Sequence, residues 1–381
     1  MQFRKFGKLD WQCSALGFGT MRLPQTDDNP CHVDEQATVK MIRYAIDNGI
    51  NYIDSAYFYH QGQSERVVGK ALKNGYREKV KLATKLPVDL VQSPNDFDRF
   101  FNEQLTRLDM PNVDFYLLHG IGADSWHKVR DMGVINWAEK QIAKAYFDYL
   151  AFSFHDEYPA LKEIIDAYDN WTFAQVLYNY LDINVQAGTR GVKYAASKNL
   201  GVVVMEPLRG GFLSRRPPEP VVKVFETASV QKSYAEWALQ WLWDQPEISV
   251  VLSGMSTLQQ VHENLASAER SGPRKLTGDE TALFSKVRNA YRDLFPVPCT
   301  ACRYCMPCPS DVNIPVIFQY YNDAVAYNML HASQSRYAGL KMNGHRADRC
   351  TECNKCVEVC PQKIAVPAQL KKAHEFLSPK K

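Results

Sequence analysis

The stretch NYIDSAYFYHQGQSERVVGKAL, residues 51–72, decides the fold, because a short apolar run passes there directly into a helical pattern. The run NYIDSA has the length and composition of a buried strand. The segment SERVVGKALKNG, which begins at Ser64, carries apolar residues at helical spacing. A strand followed by a helix is the repeating unit of α/β folds, so the number of such units along the chain identifies the architecture.

The same alternation recurs from residue 15 to about residue 271, and it produces eight apolar runs. They are ALGFGTM, NYIDSA, VKLATK, VDFYLLH, LAFSFH, FAQVLYN, GVVVMEPL and SVVLSG. Segments such as VDEQATVKMIRYAIDNG and NDFDRFFNEQLTRLDM separate them and have helical spacing. Eight strand–helix repeats over about 260 residues predict a (β/α)8 TIM barrel of α/β class. A doubly wound open sheet is the alternative, but no Gly-x-Gly-x-x-Gly follows an early strand.

The segments on either side of these repeats predict the domain organisation. MQFRKFGKLDWQCS, residues 1–14, alternates in polarity and predicts a small hairpin at the bottom of the barrel. FPVPC, which begins at Phe295, marks a boundary to a cysteine-rich segment. Residues 314–340 lack strand-like runs and predict one or two helices. We therefore expect a barrel domain over residues 1–290 and a mainly helical domain over residues 291–381.

Composition and charge exclude several classes of partner. Of the 381 residues, 45% are hydrophobic and 23% charged, which is ordinary for a globular protein. The net charge of +3 and the absence of a basic run argue against a nucleic acid partner. No window approaches ~18 uninterrupted apolar residues, so we expect no membrane span. The first residues lack the apolar core of a signal peptide, and we expect a cytoplasmic protein.

Reactive side chains follow three successive strand-like runs. The second run leads into Asp54 and, five residues later, Tyr59; the third ends at Lys85 and the fourth at His119. Each of them alone is compatible with a structural or solvated role, but barrel enzymes place their chemistry at the carboxyl ends of the strands. All four at successive strand ends therefore indicate one active site.

The chemistry of these side chains suits the reduction of a carbonyl group, which needs a hydride on carbon and a proton on oxygen. Tyr59 is the candidate proton donor, and we expect the Lys85 ammonium to lower its pKa from the ordinary value of ~10. Asp54 can pair with Lys85 and hold it in place. His119 can bind the substrate oxygen and share in proton delivery.

The motif DSAYFYHQGQSERVVGKAL, with ATK and LLH downstream, resembles the aldo-keto reductases over roughly residues 1–290. The resemblance implies a catalytic tetrad of Asp54, Tyr59, Lys85 and His119. Tyr57 is a rival to Tyr59, but its spacing from Asp54 does not match the family. The resemblance also implies an oxidoreductase that interconverts a carbonyl and an alcohol by hydride transfer from a nicotinamide.

The resemblance places the nicotinamide cofactor across the barrel mouth. Ser153 and Gln175 would lie near the carboxamide, while Phe154 or His155 replaces the asparagine of the family's Ser-Asn pair. In the loop MEPLRGGFL, Gly210 and Gly211 would let the backbone approach the pyrophosphate, and Arg209 would offer charge. A plain turn is the alternative interpretation of the two glycines.

The adenosine end of the cofactor is implied by SGMSTLQQVHENL, residues 253–265. Glu263 and Asn264 match the family's adenine-side pair. Gln260 stands where the family carries an arginine that grips the 2′-phosphate, and Gly254 stands where it carries a lysine. Losing both cations removes charge-assisted contacts to that phosphate, so NADH is favoured over NADPH. A flavin is the alternative hydride donor.

Eight of the ten cysteines lie in two runs near the end of the chain. The first run is Cys299, Cys302, Cys305 and Cys308, and the second is Cys350, Cys353, Cys356 and Cys360. The second run has the bacterial ferredoxin spacing for a 4Fe–4S cluster, and the first is one residue shorter. Zinc is the alternative, but zinc ribbons use pairs of cysteines and not two runs of four. Cys13 and Cys31 lie outside the runs and are expected to be free thiols.

The two runs predict two 4Fe–4S clusters. In two-cluster ferredoxins the fourth cysteine of each run ligates the other cluster. That rule assigns Cys360 to the cluster of the first run and Cys308 to the cluster of the second. The helical insert between the runs resembles the α-helical ferredoxin modules fused to oxidoreductases. The whole chain is thus similar to an iron–sulfur branch of the aldo-keto reductases.

Three functions remain open from the sequence. The first is a carbonyl/alcohol oxidoreductase whose clusters exchange electrons with ferredoxin or another electron-transfer partner. That coupling needs a two-to-one-electron converter, for which a flavin is the usual choice. The second is a plain NAD(P)H-dependent reductase whose clusters are structural or sense oxygen. The third is a non-catalytic, nicotinamide-binding redox sensor. The sequence does not identify the small-molecule substrate.

Overall fold

The computed structural model describes residues 1–27, 29, 31–299, 305–341, 344–360 and 362–378. The chain divides into two compact units. One consists of Met1–Arg215 with Lys232–Thr277, and the other of Arg216–Gln231 with Gly278–Lys381. The boundary expected after residue 290 stays a prediction.

The first unit is a closed parallel barrel preceded by a hairpin. Its strands are β1 (Phe3–Lys5), β2 (Gln12–Ser14), β3 (Leu16–Gly19), β4 (Tyr52–Asp54), β5 (Lys81–Leu86), β6 (Val113–Ile121), β7 (Phe147–Phe154), β8 (Phe173–Leu177), β9 (Gly201–Met205) and β10 (Val250–Gly254). Strands β3 to β10 pair in sequence order, and β10 closes the barrel by pairing with β3. Each of the eight apolar runs supplies one barrel strand, which confirms the predicted TIM barrel.

Helices follow the barrel strands. They are α1 (Glu35–Asp47), α2 (Gln63–Ala71), α3 (Asn95–Leu108), α4 (Ala123–Asp131), α5 (Val134–Ala143), α6 (Tyr158–Asp166), α7 (Gly188–Ser197), α9 (Tyr234–Trp243) and α10 (Leu258–Glu269), with α8 (Glu219–Phe225) assigned to the second unit. Helix α1 begins where the Asp34 side chain accepts the Ala37 N–H, a side-chain cap that satisfies one otherwise unpaired backbone donor. Helices α2 and α3 approach so closely that a Cβ on Gly69 would lie 2.1 Å from the Leu108 carbonyl oxygen.

The hairpin β1–β2 closes the end of the barrel where the strands begin, as predicted. The Phe6 ring, between the two strands of the hairpin, meets those of Tyr52, Phe115 and Phe173 at centroid distances of 6.2, 5.6 and 5.3 Å. Gly7 has a φ of +55°, and a Cβ there would lie 2.4 Å from the backbone nitrogen of Gly201. Only glycine fits this turn. Because the hairpin fills the bottom, the opposite end of the barrel is left for a functional site.

The second unit is helical where the structure describes it. Besides α8 it contains α11 (Gly278–Asp293), α12 (Ile314–Ala326), α13 (Leu330–Gly339), α14 (Lys355–Glu358) and α15 (Val366–Leu377). Its core draws on α12 and α15 through Ile317, Phe318 and Leu370, and several cysteines pack against it. The predicted helical insert between the cysteine runs corresponds to α12 and α13. In the described parts of the chain, no helix is both long and apolar enough to cross a bilayer.

Candidate active site

Asp54 and Lys85 form a buried ion pair at the carboxyl ends of neighbouring strands. Asp54 is the last residue of β4, and Lys85 is the last but one of β5. The Lys85 ammonium donates to Asp54 Oδ1 at 2.6 Å and to the carbonyl oxygen of Ser55 at 2.7 Å. Lys85 is fully buried, so an unpaired ammonium would be costly there. The carboxylate raises the pKa of Lys85 against the opposing effect of burial, and the side chain stays charged.

Tyr59 reaches the same ammonium from the loop after β4. Its hydroxyl lies 3.3 Å from Lys85 Nζ. It opens a 3₁₀ turn, Tyr59–Gly62, in which His60 and Gln61 have φ values of 51° and 53°. Left-handed backbone is uncommon for residues other than glycine, and Gly62 continues it with a φ of 90°. The loop is therefore held in one specific conformation by its surroundings.

The pKa of Tyr59 differs from the expectation drawn from sequence. Burial raises this pKa above the ordinary value and outweighs the Lys85 ammonium, which acts in the opposite direction. The sequence shows the lysine but not the depth of the hydroxyl, and so predicts only one of the two effects. A raised pKa leaves the phenol protonated at neutral pH, which is the form that a proton donor needs.

His119 stands beside Tyr59 on β6, with the two rings at a centroid distance of 5.9 Å and nearly perpendicular. Burial, followed by the charges of Lys85 and His155, lowers the pKa of His119 to about 3. Its Nδ1 is buried and has no hydrogen-bond partner among the residues that the structure describes. An imidazolium would need acceptors at both nitrogens, so His119 is a neutral hydrogen-bonding group.

A buried carboxylate links the Tyr59 loop to the strand that carries Lys85. Glu65 Oε1 accepts from Thr84 Oγ1 at 2.6 Å, and its Oε2 accepts from Arg107 at 3.2 Å. Arg107 also donates to the carbonyl oxygen of Tyr57 at 3.0 Å, and its guanidinium covers the Tyr57 ring. Sequence analysis did not identify these supporting residues, because their partners lie in three separate segments.

The two residues predicted at the carboxamide are buried on adjacent strands. Ser153 on β7 and Gln175 on β8 are in register. Ser153 Oγ accepts the Gly120 N–H at 2.7 Å, and Gln175 Nε2 donates to Asp54 Oδ2 at 2.9 Å. Gln175 thus fixes the second oxygen of the carboxylate that holds Lys85. Of the two residues that stand in place of the family's asparagine, Phe154 is buried and His155 is exposed.

The predicted pyrophosphate loop follows β9. Gly210 and Gly211 have φ values of 67° and 89°, and a Cβ on Gly211 would meet no atom within 4 Å. Open space beside a glycine backbone fits a group that must approach closely. Arg209 forms an ion pair with Asp182 at 3.0 Å, so part of its charge is already compensated. The partner of Arg209 comes from a different loop and could not be read from the motif.

The predicted adenosine-side residues lie at the end of β10 and on α10. Gln260 Oε1 accepts the Ser256 N–H at 2.7 Å, and Glu263 accepts from Gln259 at 2.8 Å. Asn264 is buried and donates to Ser253 Oγ at 3.0 Å. The predicted contact of Asn264 with adenine therefore competes with its hydrogen bond from α10 to Ser253 on β10.

Arg22 is a basic residue at the mouth that sequence analysis missed. A Cβ on Gly254 would lie 2.9 Å from Arg22 Cγ, so the arginine stem packs where the family's lysine would begin. Its charge acts to lower the pKa of Tyr59, which places the guanidinium near the tetrad. Arg22 directly follows the first strand-like run, ALGFGTM, and this position after a strand was the available signal.

The structure describes seven of the eight predicted cluster ligands, and Cys302 lies outside the described residues. Six of the seven pack against the core of the second unit: Cys299, Cys305, Cys308, Cys350, Cys356 and Cys360. Burial raises the pKa of the Cys356 thiol, and the charges of Cys350, Cys353 and Cys308 raise it further. The charges of three other cysteines thus reach Cys356, and thiolates are the ligands of Fe–S clusters. Within the described part of the chain, no three His, Cys, Asp or Glu side chains are arranged to hold a metal ion.

A barrel with these four side chains at its mouth, joined to a cysteine-rich helical unit, defines a class of oxidoreductase. The model of the aldo/keto reductase family matches residues 15–274, and the model of a 4Fe-4S dicluster domain matches residues 298–365. The chain belongs to the aldo/keto reductase family and carries a C-terminal 4Fe–4S dicluster domain. Membership supports a nicotinamide cofactor besides the iron–sulfur clusters.

Similar proteins are oxidoreductases. The chain is 25% identical over 318 residues to the uncharacterized oxidoreductase YqkF of Bacillus subtilis, covering 74% of this chain and 94% of that protein. It is 29% identical over 288 residues to L-galactose dehydrogenase of Arabidopsis thaliana, covering 70% and 88%. The holo form of aldo-keto reductase AKR11C1 from Bacillus halodurans has a TM-score of 0.62 at 27% identity, covering 75% of this chain and 96% of that one. The protein is therefore an enzyme.

Proposed function

We propose that the barrel interconverts a carbonyl and an alcohol, with Tyr59 as proton donor. The observation that carries the proposal is the Lys85 ammonium, which lies 2.6 Å from Asp54 and 3.3 Å from the Tyr59 hydroxyl. A nicotinamide held near Ser153 and Gln175 would supply the hydride in reduction. Tyr59 delivers the proton to the substrate oxygen, and the neutral His119 holds that oxygen by a hydrogen bond.

Lys85 acts on the phenolate that forms as the proton leaves. The ammonium is already in place and fully buried, so it stabilises developing charge without rearrangement. Asp54 holds this ammonium by accepting a hydrogen bond from Lys85, and Gln175 holds Asp54 by donating to its second carboxylate oxygen. In the reverse direction the same phenolate accepts the alcohol proton. The name of the Arabidopsis relative, L-galactose dehydrogenase, favours testing this direction as well.

We propose that the clusters exchange electrons with the barrel chemistry and with a partner such as ferredoxin. Hydride transfer moves two electrons and a cluster passes one, so a converter is required, with a flavin as the candidate. The two cysteine runs and the match of residues 298–365 to a 4Fe-4S dicluster domain support cluster binding in the second unit. The remaining alternative is a reductase whose clusters are structural or sense oxygen.

The test is an anaerobic titration of the purified protein with NADH, followed by low-temperature EPR and the visible spectrum. Reduced-cluster signals are expected, and a visible flavin band would identify the converter. If the clusters stay oxidised while a test aldehyde consumes NADH, the coupling is refuted and the barrel works alone. Dithionite must reduce the clusters in a parallel sample, because a very low potential would otherwise give the same result.

We propose NADH as the preferred nicotinamide, since Gln260 is neutral and its side-chain oxygen is occupied by the Ser256 N–H. Arg22 packs against Gly254, so its positive charge would oppose this preference. Binding of NADH and NADPH, measured by fluorescence in the wild type and in Arg22→Met, tests both. Tighter binding of NADPH to the wild type would refute the preference.

A further inference from the structure

Two polar side chains outside the tetrad lie at the mouth of the barrel beside His119. His155 directly follows β7, and Gln186 lies in the loop between β8 and α7. Both therefore stand at the carboxyl ends of the strands, where barrel enzymes bind their substrates. Neither has a part in the proton transfer assigned to Tyr59.

His155 is fixed next to the tetrad. Its backbone N–H donates to the Ile121 carbonyl oxygen at 3.0 Å. A Cβ on Gly120 would lie 3.7 Å from His155 Cδ2, so the imidazole covers the residue that follows His119. The glycine leaves room for the ring at this position. Solvent reaches His155, but partial desolvation of its ring lowers the pKa, so the neutral form predominates near pH 7.

The side chains of Gln186 and His155 meet at the barrel mouth, where Gln186 Nε2 lies 3.3 Å from His155 Nδ1. In this orientation of the amide, Nε2 donates and Nδ1 accepts, so the neutral ring carries its proton on Nε2. Among the described residues no side chain accepts from this Nε2–H, and since His155 is exposed the donor is accessible to a ligand.

Gln186 contributes the complementary acceptor. Its Oε1 is buried and has no donor among the described residues. Leaving a buried acceptor unpaired disfavours a state by roughly ten- to a hundred-fold. The backbone of Gln186 also has a φ of 54°, a left-handed conformation that residues other than glycine rarely adopt. The fold thus holds an unused acceptor beside an unused donor.

We propose that His155 and Gln186 form a substrate subsite for hydroxyl groups, and that the preferred substrates are hydroxylated aldehydes or ketones. A hydroxyl oxygen accepts from His155 Nε2–H, and a hydroxyl proton is accepted by Gln186 Oε1. A carboxylate fits less well because the pair carries no positive charge and presents an acceptor. The inference rests on the proposed function, since it assumes that the substrate carbonyl meets Tyr59 and His119.

The test compares two aldehydes of equal carbon number, glyceraldehyde and propanal, in the wild type and in His155→Phe and Gln186→Leu. The measured quantity is the ratio of the two kcat/KM values. We expect the wild type to prefer glyceraldehyde. Each substitution should reduce this preference about tenfold, because it removes one hydrogen bond to a substrate hydroxyl. His127→Phe is the matched control, because His127 pairs with Glu163 on the surface.

The outcomes separate the subsite from the proposed function. If both aldehydes slow equally in the variants, the pair serves the cofactor or the fold, and the subsite is refuted. If the wild type reduces neither aldehyde, the proposed function fails, and binding decides the subsite by saturation-transfer NMR with glycerol and 1-propanol. Binding of glycerol that is lost in Gln186→Leu would support the subsite. Equal signals from both alcohols would overturn it. A melting curve for each variant identifies misfolding, and Gln186→Asn serves as the replacement if Gln186→Leu is unfolded.

Discussion

Replacing Tyr59 by phenylalanine, with Tyr57→Phe as the matched control, separates the proposed proton donor from its rival. The Tyr57 hydroxyl donates to Glu103 Oε2 at 3.0 Å, whereas the Tyr59 hydroxyl lies 3.3 Å from the Lys85 ammonium. Both substitutions remove one hydroxyl and keep the ring. Any difference between them therefore reports on the contact with Lys85.

The expected magnitudes follow from the contacts. Lys85 keeps its two shorter hydrogen bonds, at 2.6 and 2.7 Å, when the Tyr59 hydroxyl is lost. The free energy of unfolding should then change by no more than about 1 kcal/mol. A lost general acid typically lowers the rate by about 10²- to 10⁴-fold, and we expect a fall in kcat of this size for Tyr59→Phe. Tyr57→Phe should change kcat by less than about threefold, because the lost hydrogen bond is remote from the ammonium.

The assay is aldehyde-dependent NAD(P)H oxidation under anaerobic conditions, with nicotinamide affinity measured separately by fluorescence. Because burial raises the pKa of Tyr59, the wild-type rate of reduction should stay level through neutral pH and fall only in strongly alkaline solution. The donor must be protonated, so loss of the proton removes activity as pH rises. Retention of more than about a tenth of kcat by Tyr59→Phe, or a hundredfold loss in Tyr57→Phe, would refute the assignment.

Three further predictions concern stability and the clusters. The pKa of His119 is about 3 in the fold and 6.5 in the unfolded chain, so the unfolded chain binds more protons between these values and the free energy of unfolding falls as the pH decreases. Between pH 8 and pH 5, the wild type should lose about 2 kcal/mol more of this free energy than His119→Gln, as measured by urea unfolding. Gly69→Ala should destabilise the protein by about 2 kcal/mol because its Cβ would meet the Leu108 carbonyl, whereas Gly278→Ala, with no atom within 4 Å, should be neutral in the same melting assay. Cys308→Ser should lower the iron content by one cluster. Cys13→Ser is the control and should keep all the iron, because burial raises the pKa of the Cys13 thiol to about 12 and keeps it unreactive. Equal iron in both variants would contradict the ligand assignment.

Much of the fold was predictable because hydrophobic periodicity is a local property. Each of the eight runs was identified from its own residues, and the order of pairing then followed from the barrel architecture. The places of Asp54 and Lys85 were predictable for the same reason, since Asp54 ends β4 and Lys85 lies one residue before the end of β5. The contact between them across neighbouring strands is what the parallel register requires.

The features that the sequence did not predict depend on how deeply a side chain is buried and on the conformations of the loops. Burial outweighs the neighbouring ammonium at Tyr59, and burial is a property of the packed structure. Arg209 faces Asp182, and Arg22 packs on Gly254, through loop conformations that no short motif encodes. His155, which follows β7, and Gln186, in the loop before α7, are brought together only by the fold. Contacts of this kind can be identified only once the conformations of the loops are known.

Closure of the barrel through β3 and β10 sets an order for biosynthesis. Leu16 pairs with Val251, residues from opposite ends of the barrel sequence, so the first barrel strand has no second neighbour until the last one has left the ribosome. All four tetrad residues are translated before the halfway point of the chain, yet the shape that positions them is complete only after β10. The cluster cysteines emerge later still. Iron delivery during synthesis would therefore meet a chain whose barrel can already be closed, while a truncated product ending before β10 would carry every tetrad residue and no closed barrel.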